Sequence, residues 1–279
     1  MRKVNLHTHT VACDGKNTAE EMVLSAISKG FDVLGFSGHS FTSFDGGGCI
    51  KDDLIPAYKA EIAHLKEKYQ DKILILSGLE HDYYATQQVS GYDYTIGSVH
   101  AYHVTGPLND ANGFAFIDYS TNHLREAAVK FYDGDLMAVA EGYFDRISCI
   151  VEKTDCDIIG HFDIISKFNE KEPIIDENHP RYIAACDKAL EKLLATGKIF
   201  EINTGAMAKG WRTTPYPSAA ILRKICEGGG KIIISSDSHA VDTLDYGFDV
   251  ALKLAKDCGF KTVMTVDDHG RFDEEIIRI

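Results

Sequence analysis

The residues best suited to chemistry in this 279-residue chain are histidines and carboxylates that fall just after short apolar runs. His7 and His9 follow Val4–Leu6, His39 follows Val33–Phe36, Glu80 follows Ile73–Leu76 and His100 follows Tyr94–Ile96. His161 comes after Ile158–Ile159, and Asp237 with His239 after Ile232–Ile234. Imidazole and carboxylate are the donors that hold first-row divalent cations. In His7-Thr8-His9 an extended chain aims both imidazoles to one side, because residues i and i+2 share a face. Asp237-Ser238-His239 repeats that geometry with a carboxylate, and Asp14 lies in the loop beyond the first pair. Any one of these histidines alone reads as an ordinary hydrogen-bonded residue. Their joint placement after so many strand-like runs reads as a metal centre. Nine candidate ligands exceed what one tetrahedral ion uses, so two or three divalent ions are expected. Mixed nitrogen and oxygen donors suit zinc, manganese or iron better than calcium or magnesium. Glu80 is the natural bridging carboxylate.

Clustered ions of this kind lower the pKa of a bound water toward neutrality and clamp phosphoryl oxygens, the pairing of functions that phosphate-ester hydrolysis needs. Nothing in the sequence offers a side-chain nucleophile in its place. There is no Gly-x-Ser-x-Gly elbow, and the glycine runs at 46–48 and 228–230 lack the Lys-Ser/Thr of a phosphate-binding loop. The formal net charge of −13 argues against a nucleic-acid backbone partner, so an anionic substrate must meet a local positive field. Arg212, Lys209 and Lys167, in loops after strand-like runs, are candidates to supply it, against the ordinary reading of solvated surface charges. Arg212 stands first because a guanidinium can bind phosphate with two parallel hydrogen bonds. Asn203 is expected to face substrate or bound water, with Glu201 structural. Ser40 and His103 are candidates to touch the leaving group; the general acid is left unassigned.

These residues need a scaffold that brings strand ends together. Between the apolar runs lie segments with helical spacing, Thr18 to Lys29, Ile55 to Tyr69, Arg181 to Ala195, Ser218 to Cys226 and Phe248 to Cys258. Thr18 with Glu21 has the spacing of a capping box, and Gly30 stands where a helix C-terminus is expected. With Val263–Val266 as a further run, seven or eight β/α units predict an α/β barrel with its site at the C-terminal ends of the strands; an open doubly wound sheet is the alternative. One domain over 1–279 is expected, with an insertion around 101–145. Seven cysteines without a Cys-x-x-Cys pair, and no apolar leader or span, predict a cytoplasmic chain without membrane attachment. Its oligomeric state is not readable.

His7-x-His9, Ser37-Gly38-His39, Gly78-Leu79-Glu80, Gly97-Ser98-Val99-His100, Gly160-His161-Phe162-Asp163 and Ser236-Asp237-Ser238-His239 together resemble the polymerase-and-histidinol-phosphatase (PHP) family across almost the whole chain. Glu201-Ile202-Asn203-Thr204-Gly205 resembles a segment of its stand-alone histidinol-phosphatases. The resemblance implies a distorted (β/α)7 TIM-like barrel and a trinuclear centre. One ion would be held by His7, His9, Glu80 and Asp237, a second by Asp14, His39 and His239, and a third by Glu80, His100 and His161. Position 14 holds histidine in some relatives. The implied substrate is L-histidinol phosphate, in histidine biosynthesis. Competing readings are a PHP-type nucleotide phosphatase or exonuclease, an amidohydrolase, and a non-catalytic metal-binding protein. An amidohydrolase typically adds a bridging lysine after a middle strand, and none stands at a strand end here.

Overall fold

Seven of the apolar runs pair side by side in a computed structural model, which describes residues 1–44 and 47–278. Gly46 of the first glycine run lies outside the described residues. Strand β1 (Val4–Asn5) leads into helix α1 (Ala19–Ser28), then β2 (Val33–Phe36), α2 (Ile55–Lys68), β3 (Leu74–Asp82) and β4 (Tyr94–Ser98). Next come the short strands β5 (Ala101–His103) and β6 (Phe114–Phe116), paired antiparallel, and helices α3 (Thr121–Tyr132), α4 (Leu136–Ile147) and α5 (Ile150–Thr154). The alternation resumes with β7 (Ile158–Ile159), α6 (Pro180–Leu194), β8 (Ile199–Asn203), the one-turn α7 (Gly205–Ala208), α8 (Ala219–Glu227), β9 (Lys231–Ser235) and α9 (Phe248–Asp257). A hairpin of β10 (Thr262–Val266) and β11 (Phe272–Ile276) follows.

The parallel sheet runs β1-β2-β3-β4-β7-β8-β9, and it curls until its two edges meet. Closure occurs just beyond the strands: Thr8 and Ser238 form a parallel bridge, with His9 N donating to Ser238 O at 2.8 Å and Ser238 N to His7 O at 3.1 Å. The seam of the barrel therefore lies between the two His/Asp-x-His segments, and it locks them side by side. Val263–Val266 does not join this barrel as an eighth strand. Its backbone is paired with β11, and Met264 and Val266 pack in one cluster with Val4, Leu6 and Ile233.

Local chemistry explains why the elements start and stop where they do. Thr18 Oγ1 accepts from Glu21 N at 3.3 Å while Glu21 Oε2 accepts from Thr18 N at 2.8 Å, so the capping box of α1 is complete. Gly30 takes φ +71°, the left-handed conformation that glycine enters without a Cβ penalty, and the chain turns there into β2. Inside the barrel the ring of Tyr94 lies against Gly78 and Gly35, and its hydroxyl donates to the Leu6 carbonyl. Among the described residues no helix is long and apolar enough to cross a membrane.

Candidate metal centre

Because side chains alternate along a strand, β3 turns Glu80 into the barrel and His81 out of it. Glu80 is 1% exposed, and five imidazoles converge on its carboxylate. Oε1 lies 2.9 Å from His161 Nε2 and 3.2 Å from His100 Nε2. Oε2 lies 2.7 Å from His39 Nδ1, 3.2 Å from His7 Nε2 and 3.6 Å from His9 Nε2. Asp237 completes the seam, its Oδ1 3.1 Å from His9 Nε2 and 3.7 Å from His7 Nε2. Asp14 reaches His239 Nε2 at 3.1 Å, and both His9 Nδ1 and His39 Nε2 at 3.6 Å. All nine residues singled out in the sequence thus stand around one hub. Asp237 sits at φ +49°, a left-handed backbone that aspartate tolerates better than most residues and that marks strain at a site.

The buried nitrogens His7 Nε2 and His9 Nε2 and the oxygen Glu80 Oε2 crowd against their neighbours without forming a hydrogen bond of good geometry among the described residues. Leaving such groups unsatisfied costs roughly 1–3 kcal/mol each, more when charged. A cation between them removes that cost, so the residues present fit divalent metal. Ligand atoms lie within 4.8 Å of one another in three sets: His9, Asp14, His39 and His239; His7, His9 and Glu80; His39, Glu80 and His100. These sets share His9, His39 and Glu80, where the resemblance implied that only Glu80 would be shared.

Charge and burial pull the two seam histidines apart. Burial lowers the pKa of His7, but Glu201, Asp237 and Glu80 together raise it well above the ordinary imidazole value. For His9, burial and then His239 and His39 bring the pKa down to about 3. Burial works to raise Glu80 and Asp237, yet the imidazoles around them, joined at Asp237 by Lys209, hold both well below the usual carboxylate range.

Glu201 was read as structural, and its geometry gives it more to do. Its Oε1 lies 2.7 Å from His7 Nδ1, while Oε2 accepts from His161 N and from Asn203 Nδ2, each at 2.9 Å. A carboxylate on one imidazole nitrogen fixes the ring and leaves the other nitrogen to face a metal. Asn203 is corrected in the opposite sense. It is fully buried, donates to Glu201 and Asp237 and accepts from Gly205 N, so it braces carboxylates and does not face substrate.

Above the hub opens a cavity of about 380 Å³, and Ser40, Lys167 and Lys209 are among the residues that line it. Arg212 does not. Its guanidinium is buried, donating to Ser166 O at 3.1 Å, Ser166 Oγ at 2.6 Å and Thr214 O at 3.3 Å, so it holds the wall from behind. His103 is also turned away, its Nε2 2.8 Å from the Gly106 carbonyl in the β5–β6 hairpin. The cavity wall adds Phe44, Asp82, Asp118, Tyr119 and Tyr216, none singled out in the sequence. Asp82 had a signal: it lies two residues past Glu80 on β3, hence on the same face, and its Oδ2 is 3.5 Å from His100 Nδ1. Asp118 and Tyr119 come from the irregular stretch before α3, which carries no pattern pointing to them.

The PHP domain model matches residues 5–205. The chain is similar to the histidinol-phosphatase of Bacillus subtilis, 26% identical over 91% of this chain and 99% of that one. Its fold matches the histidinol phosphate phosphatase of Lactococcus lactis solved with zinc, L-histidinol and phosphate, at a TM-score of 0.69 and 21% identity over 98% and 99% of the two chains. Matched over most of its length, and carrying every strand-end ligand segment quoted for the resemblance, the chain belongs to the PHP domain family.

Proposed function

We propose that this protein is a metal-dependent phosphomonoester hydrolase that converts L-histidinol phosphate and water to L-histidinol and phosphate, in histidine biosynthesis. The observation that carries the reading is the buried Glu80 carboxylate ringed by His7, His9, His39, His100 and His161 at the floor of the cavity. His7, His9, Asp14, His39, Glu80, His100, His161, Asp237 and His239 would hold two or three ions of the zinc, manganese or iron type. When bound, such ions acidify water and neutralise phosphoryl charge. The chain's own residues do the rest. Glu201 fixes the His7 ring, Asp82 faces His100, and Asn203 spans Glu201 and Asp237. Lys209, exposed at the rim of the cavity, would orient the phosphate, and the less exposed Lys167 also lines the cavity. Neither lysine stands at a strand end, which weighs against the amidohydrolase reading.

The test is phosphate release by metal-quantified protein from L-histidinol phosphate, a nucleoside monophosphate and p-nitrophenyl phosphate, beside the His7→Ala/Asp237→Ala double variant. Preference for histidinol phosphate, lost in the variant, is the expected result. Equal weak cleavage of all three would retain the hydrolase and discard the substrate. No cleavage by loaded protein would leave the amidohydrolase and the non-catalytic metal-binding readings.

A further inference from the structure

None of the seven cysteines is among the nine hub residues. Cys156 and Cys186 are buried, and burial pushes the Cys156 thiol up to about 11. Cys149, just ahead of α5, is only partly buried, and it does not stand alone. Lys192 Nζ, in the last turn of α6, donates to Cys149 Sγ at 3.2 Å and to Glu152 Oε2 at 2.9 Å. Sulfur and nitrogen therefore face each other with a single hydrogen between them, on residues 43 apart in sequence. Glu152, and after it Cys149, raise the pKa of Lys192, so the nitrogen rests on the sulfur as a cation. A groove of about 530 Å³ between α4 and α6 is lined by Ser148, next to Cys149, and by Lys188, one helical turn before Lys192, so small solutes reach the neighbourhood of the pair. Neither Cys149 nor Lys192 lines the cavity above the hub.

We propose that Cys149 and Lys192 are a modification site for hydroperoxides, at which one oxygen atom takes the place of the hydrogen between them and joins the start of α5 to α6 through a covalent S–O–N bridge. A thiolate sulfur is the nucleophile in thiol oxidation, and a neighbouring ammonium balances its charge. Attack of Sγ on a peroxide oxygen breaks the O–O bond, releases water and leaves a sulfenic acid, the reversible first stage of cysteine oxidation. The Lys192 ammonium then passes a proton to Glu152 and on to solvent, and the free amine attacks a second peroxide, releasing water and leaving an N–OH group. Condensation of S–OH with N–OH expels a third water and closes the bridge. Sulfur and nitrogen each lose two electrons, and each peroxide gains two. Two equivalents of a dithiol reverse the change and return thiol, amine and water.

The test treats zinc-loaded wild type, Cys149→Ser and Lys192→Arg with hydrogen peroxide in mildly alkaline buffer, and reads tryptic peptides by mass before and after dithiothreitol. Arginine keeps a cation beside Glu152 but offers no primary amine. In wild type the peptides of Cys149 and Lys192 are expected to be joined, having together gained one oxygen and lost two hydrogens, and to separate unmodified after dithiothreitol. Closing a loop of this length should also raise Tm by roughly 5 °C, as a disulfide does by restricting the unfolded chain. Lys192→Arg should stop at an oxidised Cys149 with no join, and Cys149→Ser should show neither. Untreated, both variants should match wild type in Tm and in metal content. Oxygen added to wild-type Cys149 without the join, a join that persists in Lys192→Arg, or a Cys149 that peroxide leaves unchanged overturns the bridge.

Discussion

His7 Nδ1 lies 2.7 Å from Glu201 Oε1, with both side chains fully buried. The same carboxylate receives the His161 backbone N–H, so one residue of β8 sets the position of groups just past β1 and just past β7. Glu201→Gln keeps the shape but offers an amide where a carboxylate stood, and it is expected to weaken metal binding by about 10–100-fold. Metal titration followed by inductively coupled plasma analysis reads this directly. Unchanged affinity would reduce Glu201 to a packing residue.

Removing the ions is expected to destabilise the fold, because the crowded polar atoms of the hub lose the group they face. Binding at a hundredfold over Kd stabilises the native state by about 2.7 kcal/mol per site. Dialysis against a chelator should therefore lower Tm by roughly 5–10 °C for a chain of this size. Adding back zinc or manganese should restore it, whereas calcium at the same concentration should not. A Tm indifferent to chelation would mean that the hub is empty in solution.

How much of this was legible in the sequence depends on how local the cause was. Six histidines betray themselves because each strand end repeats the same short grammar of apolar run then ligand, and the capping box of α1 involves residues three apart. The eighth apolar run, Val263–Val266, has the composition of a buried strand and is one; what composition does not encode is its partner, β11, whose residues are mostly exposed and charged. Helices α3 and α4 went unread inside the stretch taken as an insertion, although Leu124, Ala127 and Ala128, then Val139, Ala140, Tyr143, Phe144 and Ile147, are buried at helical spacing. Asn203 and Arg212 escape the sequence for one reason. Whether a polar side chain faces a cavity or braces it from behind is settled by partners far away in sequence, Asp237 in one case and Ser166 in the other.

Two of the three cations of the expected phosphate set should separate experimentally. Lys209 is exposed at the cavity, so Lys209→Ala should raise KM by roughly 3–10-fold with little change in Tm, the signature of a contact made equally in ground and transition states. Arg212→Ala strips donors from a buried wall and should cost about 2–4 kcal/mol in urea unfolding. Its KM should move less than that of Lys209→Ala. The opposite pattern would return Arg212 to the phosphate site.

Tyr94 offers a test of what holds Glu80 in place. Its ring fills the barrel between Gly35 on β2 and Gly78 on β3, and a Cβ built on Gly78 would fall inside that ring. Gly78→Ala is therefore an overpacking change in a closed core, expected to cost about 3 kcal/mol. Since Gly78 lies two residues before Glu80 on the same strand, any relief by shifting β3 moves the hub carboxylate, and metal affinity should fall with stability. Tyr94→Leu alone costs stability through a void and the lost hydroxyl donor to Leu6. In combination with Gly78→Ala it should recover part of the loss, because the space vacated by the ring admits the methyl group. Residues in contact commonly couple by about 0.5–3 kcal/mol in a double-mutant cycle, and a coupling of at least 1 kcal/mol is expected here. Additive penalties from urea unfolding of the four proteins would show that β3 accommodates an alanine without displacing Tyr94, and that the position of Glu80 is set elsewhere.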